Sequence, residues 1–265
     1  QVEMNVNLED LKTLKSSLES EKKNQEEEMD NLKKLSTKLS DQKKLNEINK
    51  TNKNKLLTET KNKEFNYRKV LTEKLKLKEI LDKEIFNYEA QLKYELDPKT
   101  IPPAGSGVLR WPLDKIFITQ KFGVTSSSRR LYVSGSHNGV DFRASEGTRV
   151  LSAGEGIVDG TGDTDIACPG ASFGKWVLIK YDNGLATTYG HLSLIKVSKG
   201  EKVSNGQLVG YSGNTGYSTG PHLHVTVYPK NAVNIISRPS VACSGRLYTL
   251  PAAAVNAYLD PLLYF

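Results

Sequence analysis

Apolar residues follow two different rhythms along the chain. In the first, Leu8, Leu11, Leu14 and Leu18 recur at steps of three and four. Met29, Leu32, Leu35 and Leu39 continue that stripe, and Val70, Leu71, Leu75, Leu77, Ile80, Leu81, Ile85 and Leu92 resume it. A mean spacing near 3.5 predicts long helices with a seam that must be buried against another helix, a coiled coil. Asn46, Asn49, Asn52 and Asn54 interrupt it. Their side chains compete for backbone groups, which places a turn there. The two arms would then form an antiparallel hairpin, each on the order of 60–70 Å long. One straight helix pairing with a second chain is the alternative.

The second rhythm starts at Val108. Short apolar runs alternate with glycine turns. Trp176–Tyr181 reads as a strand, Asp182-Asn183-Gly184 as a hairpin turn, and Leu185–Tyr189 as the return. Lys199-Gly200 and Asn205-Gly206 are further turns, with Val203 and Leu208-Val209 on short strands between. Closely spaced strands without βαβ alternation predict a compact, mostly antiparallel β-sheet domain, and no dinucleotide or phosphate-loop fingerprint is present.

Composition sharpens the boundary. All 21 Gly and all 10 Pro lie in residues 98–265. Pro98, Pro102, Pro103, Gly105 and Gly107 read as a linker. The expected organisation is a helical arm over 1–97, a linker over 98–107 and a β-domain over 108–265. The arm holds 21 basic and 20 acidic residues, leaving 16 and 10 in the remainder. The basic excess therefore belongs to the β-domain and favours an anionic partner: nucleic acid, a membrane surface or a wall polymer. Its basic residues are scattered, with no aromatic-interleaved basic stretch, so nucleic acid is not expected. No run of about 18 apolar residues offers a membrane span. The chain starts at Gln1, at a helical pattern, and reads as a fragment or a processed form. The two cysteines, Cys168 and Cys243, form either one disulfide of an oxidising compartment or two unrelated buried thiols.

All four histidines lie in the β-domain. Pro221–Tyr228 alternates like a half-buried strand, which puts His222 and His224 on one face and Leu223, Val225 and Val227 on the other. Two neighbouring imidazoles pack poorly but serve well as a metal ligand beside a base. His137-Asn138-Gly139-Val140-Asp141 holds a His and a carboxylate that an extended strand would separate by roughly 13 Å. A bend at Gly139 would bring them together. They would then either brace a loop or hold zinc with a remote His. His191 lies at the end of the return strand, in Tyr189-Gly190-His191-Leu192-Ser193.

These elements, together with Gly213–His224 and the terminal Leu259–Phe265, resemble the lysostaphin/LytM-type zinc metallopeptidases of bacterial cell walls. The likeness covers about residues 108–265, and the segment Asp163–Ser172 is an insertion that could line a groove. The resemblance implies one Zn²⁺ held by His137, Asp141 and His224, with His191 and His222 as catalytic residues. It implies hydrolysis of peptide bonds in peptidoglycan, in a periplasmic or otherwise extracytoplasmic setting. Residues 1–97 would dock on a membrane-bound division or envelope-remodelling complex and restrain the site. The competing reading is a non-catalytic coiled-coil activator of other wall hydrolases; such relatives lose ligands, whereas all five polar positions are present here. A lipoyl-type carrier is ranked low, because Met4 and Met29 both lie in the arm.

Overall fold

The computed structural model describes the backbone of residues 2–60, 64–95, 97, 99 and 101–265. Side chains are described from residue 11 onward, apart from 59–67, 96, 98, 100, 130 and 131. Leu8 of the stripe and Pro98 of the expected linker thus lie outside the described side chains. Two compact units emerge, Gln1–Leu56 and Leu57–Phe265.

Two helices open the chain, α1 (Val2–Thr60) and α2 (Glu64–Gln91). The turn expected at Asn46–Asn54 is not there, because α1 runs through it. Asparagine in a helix costs only about half a kcal/mol relative to alanine, and the Lys, Leu and Glu around it are good helix formers. The helices therefore differ in length, 59 residues against 28. In the first unit the apolar stripe is solvent-facing: Leu11, Leu14, Leu18, Met29, Leu32, Leu35 and Leu39 are all exposed.

In the second unit α2 joins the β-domain. Leu81 is 3% exposed, in one core with Trp176, Leu178, Tyr228 and Leu250. The Glu84 carboxylate accepts from the Ser240 hydroxyl (2.7 Å) and the Val241 amide (2.9 Å). The Tyr258 hydroxyl donates to Glu89, and the Asn256 amide donates to the Tyr94 carbonyl (2.7 Å). The linker also lies against the domain: the Gly105 amide donates to the Leu263 carbonyl, and just beyond the linker the Leu109 amide donates to the Tyr264 carbonyl.

The β-domain contains β1 (Ile118–Gln120), a short helix α3 (Ser128–Leu131), β2 (Val140–Arg143), β3 (Arg149–Leu151), β4 (Gly156–Asp163), β5 (Lys175–Tyr181), β6 (Leu185–Ile195), β7 (Lys202–Val203), β8 (Leu208–Ser212), β9 (His222–Pro229), β10 (Asn234–Pro239) and β11 (Leu247–Ala252). The main sheet runs β1-β2-β9-β6-β5-β4-β7, with β8 bridging β3 and β6. β10 and β11 form a separate hairpin. Every described pairing is antiparallel. The β5–β6 turn follows the expected residues, with Gly184 at φ 88° as such a tight turn requires. Leu223, Val225 and Val227 of β9, Val177 and Ile179 of β5 and Tyr189 of β6 fill the main core. Cys168 and Cys243 are joined, their Cα atoms 5.4 Å apart. The bond ties the segment after β4 to the loop between β10 and β11. No described helix is long and apolar enough to cross a membrane.

Candidate metal centre

Strand β9 is the spine of the site. Leu223, Val225 and Val227 are fully buried on its core side, so His222 and His224 share the opposite face. β2 pairs with it in a register that sets Asp141 across from His224. Opposed residues of an antiparallel pair share a face, and His224 Nδ1 lies 2.8 Å from Asp141 Oδ1. His137 enters from the loop before β2, where it exchanges both backbone hydrogen bonds with Gly123 (2.8 and 2.9 Å). Its Nε2 lies 3.3 Å from Asp141 Oδ1 and 3.1 Å from His224 Nδ1. All three residues are buried, and their ligand atoms lie within 4.8 Å of one another.

The bend assigned to Gly139 has a different cause from the one expected. A Cβ there would stand 2.5 Å from the Val225 carbonyl oxygen and 2.7 Å from the His224 ring. The residue is glycine because the backbone passes so close to that ring.

The outer atoms of the rings fix what the inner ones present. His137 Nδ1 lies 3.0 Å from the Lys121 carbonyl oxygen. A carbonyl only accepts, so Nδ1 carries the proton and Nε2 turns a lone pair inward. His224 Nε2 is 3.2 Å from Thr226 Oγ1; with Nε2 as donor, its Nδ1 also faces inward as a lone pair. Burial works to raise the Asp141 carboxyl, but the His137 and His224 rings outweigh it and hold the group far below the usual carboxylate range. Two lone pairs and a carboxylate oxygen converge, an arrangement that a shared cation relieves. Tetrahedral zinc ligands at ~2.0–2.1 Å stand roughly 3.3 Å apart. The observed 2.8, 3.1 and 3.3 Å need shifts of only a few tenths of an ångström. The residues fit a zinc ion, and an outer acceptor on each ring is the usual way to orient such ligands.

His191 and His222 flank this trio. Their ring centroids are 4.5 Å apart, and His222 Nε2 lies 3.7 Å from Asp141 Oδ1. His191 owes its direction to a bulge: between Lys175/Leu192 and Val177/Tyr189 the β5–β6 register slips, and His191 adopts φ 60°. A left-handed non-glycine residue is strained, and here the strain turns a side chain that would otherwise alternate away. Burial first, then His222 and His224, pull His191 down to about 3, so it is neutral at physiological pH.

All five residues named from the sequence meet here. Of the groups around them, sequence reasoning anticipated only the insertion Asp163–Ser172 as a groove wall. The Tyr132 ring stacks on His137 (5.4 Å), and Phe173 tilts against His224 (5.7 Å). Ser172 and Phe173, at the end of the insertion, line the same cavity, which has a volume of about 170 Å³. Asp82, Ile85, Phe86 and Glu89 of α2 form its other wall. Residues 1–97 contain neither His nor Cys, so their sequence alone points to no chemistry there. The available signal was the cluster Asp82, Ile85-Phe86 and Glu89, an aromatic and acidic patch within a Lys/Leu-rich stretch.

The model of peptidase family M23 matches residues 135–235. The peptidoglycan DD-endopeptidase ShyA of Vibrio cholerae is 49% identical over 88 residues, 33% of this chain and 19% of that protein. A zinc-containing peptidase from Vibrio cholerae has 32% identity and a TM-score of 0.40, covering 48% of this chain and 37% of that one. The catalytic domain of the prophage-encoded M23 protein EnpA from Enterococcus faecalis has 30% identity and a TM-score of 0.38, covering 49% and 88%. The chain spans only about a fifth of the length of the ShyA relative. The family match contains His137, Asp141, His191, His222 and His224, and through this β-domain the chain belongs to peptidase family M23.

Proposed function

We propose that the chain is a zinc-dependent endopeptidase that hydrolyses peptide bonds in bacterial peptidoglycan, acts outside the cytoplasm, and is restrained by α2. The observation that carries this reading is the convergence of His137 Nε2, Asp141 Oδ1 and His224 Nδ1, with two further imidazoles alongside. The activity named for the ShyA relative supports the substrate class. The basic excess of the β-domain suits a wall rich in carboxylates or phosphates.

Zinc held by His137, Asp141 and His224 would polarise a carbonyl oxygen and bring the pKa of water toward ~7. The chain's own part is proton handling. His222 Nδ1 donates to the Gly220 carbonyl (2.8 Å) and His191 Nδ1 to the Thr215 carbonyl (2.8 Å). Each ring therefore offers its Nε2 lone pair to the site. His222 Nε2 takes the proton of the attacking water and returns it to the leaving amine. His191 arrives neutral and accepts at Nε2, so it assists proton transfer and stabilises an oxyanion only after protonation.

A cavity of about 170 Å³ is small for a peptide. Binding clefts for small molecules already span roughly 300–1,000 Å³. Substrate entry would therefore require α2 to leave. In this reading the exposed stripe of α1 docks the chain on a membrane-bound division or envelope-remodelling complex, and docking releases α2. The covered cavity also favours a second reading, a non-catalytic activator of other wall hydrolases. Mass spectrometry of purified peptidoglycan after incubation, with and without a chelator, separates them. New stem peptides that disappear with chelator support the endopeptidase; none under any condition, including after α2 is destabilised, supports the activator.

A further inference from the structure

Lys78 of α2 occupies an unusual place for a lysine. Its side chain is 10% exposed, although lysine normally keeps its ammonium in water. The ammonium lies 4.1 Å from the ring centroid of Tyr217 and 5.4 Å from that of Tyr132. Both distances fall within the ~6 Å reach of a cation–π contact. Asp82, one helical turn on, supplies a counter-charge at 3.4 Å. The two tyrosines come from separate parts of the domain, Tyr132 just after α3 and Tyr217 in the loop between β8 and β9. Both line the cavity that holds His137, His191 and His224, and Tyr132 stacks on His137.

We infer that Tyr132 and Tyr217 form a subsite for a primary ammonium group of the substrate, and that Lys78 fills this subsite as an intramolecular stand-in. The inference rests on the proposed function and adds a specificity element to it. The rings belong to the β-domain and stay when α2 leaves; Lys78 and Asp82 leave with the helix. What remains is an aromatic pair beside the reacting centre that favours a cation over a neutral group. Wall peptides present such cations as the side-chain amine of a diamino acid or as a free N-terminus. A helix that covers the site by its own lysine competes with them directly, which couples specificity to restraint.

The test uses the full zinc-loaded chain and a soluble wall-derived stem peptide in three forms: free amines, the side-chain amine acetylated, and the N-terminus acetylated. Binding is measured by calorimetry and cleavage by mass spectrometry. Lys78→Met should bind the free-amine peptide about tenfold more tightly than the wild type, the worth of one partly desolvated cation–π contact. Acetylation of one of the two amines should abolish that gain and so identify which amine is read. Lys78→Arg, which keeps a cation on the helix, should behave as the wild type. Tyr217→Leu combined with Lys78→Met should lose most of the preference for the free amine. Equal binding of free and acetylated forms by Lys78→Met, or no binding of either, overturns the subsite. Cleavage of all three peptides at equal rates overturns it too, while leaving the endopeptidase reading intact. Selective binding without any cleavage has the opposite meaning: the subsite stands and the endopeptidase reading falls.

Discussion

The cavity has two walls built on different physical terms. The sheet wall presents His137, His191 and His224, with Asp141 and His222 beside them, placed by strand register and one bulge. The helix wall brings Asp82, Ile85, Phe86 and Glu89 through a single packed face anchored by Leu81 and Glu84. Atoms on the first wall are fixed by the strand ladder and, for His137, by its backbone bridge to Gly123. Those on the second are fixed only while α2 stays docked. On the proposed reading, chemistry would belong to the wall fixed by the sheet, and control to the wall that α2 supplies.

The largest effects should come from the sheet wall. His224→Ala removes a ligand and should abolish zinc retention and hydrolysis together, read by metal analysis and peptide release. His222→Ala should keep most of the zinc yet lose about 10²–10⁴-fold in rate, the usual weight of a positioned base. If both variants lose zinc equally, the division between ligand and base is wrong.

Substitutions in the helix wall should act in the opposite direction. Leu81→Ala removes a buried contact worth about 2–5 kcal/mol. It should raise hydrolysis by at least about tenfold if docking of α2 is worth 1.4 kcal/mol or more. An unchanged rate, with the α2 amides still exchanging faster, would show that α2 does not restrain the site.

The helix wall should also respond to pH. Burial pushes Glu89 from its ordinary 4.5 up to about 7, against hydrogen bonds from Tyr258 and Ala253. Burial likewise raises Asp82 from 3.8 to about 6, against the lowering effect of Lys78. Raised carboxylic acids bind more protons in the docked state. Docking is thus fully supported below about pH 4 and weakens as pH rises through about 6 and 7. Hydrogen exchange along α2 should speed up across that window beyond its intrinsic pH dependence, and Glu89→Gln should flatten the upper part. The smallest expected change is at Cys168–Cys243. Reduction should loosen the segment after β4, at a cost of about 2–4 kcal/mol. Its readout is a mass shift on reduction and alkylation with a lower melting temperature.

Much of the sheet wall was legible in the sequence, because alternation over His222–Val227 places the two histidines on one face without any tertiary information. The hairpin at Asp182-Asn183-Gly184 and the change of texture after residue 97 were legible for the same local reason. The convergence of His137 with His224 was not, since it depends on the β2–β9 register and the close approach at Gly139. It was reached by resemblance. The bulge that aims His191 leaves no signature in Tyr189–Ser193. The helix misled for the reverse reason: four asparagines look like a break, yet their small individual costs are outweighed by their neighbours. A Lys/Leu/Glu texture gives no hint that one end of α2 is docked while the stripe from Leu11 to Leu39 is exposed.

X-ray absorption at the zinc edge of the purified full chain tests the central claim most directly. The account predicts one zinc per chain, with two imidazole nitrogens and a carboxylate oxygen at ~2.0–2.2 Å, and that signal lost in His224→Ala and Asp141→Ala. Zinc bound with the same ligand shell in those variants, or a chain that retains none, would contradict it.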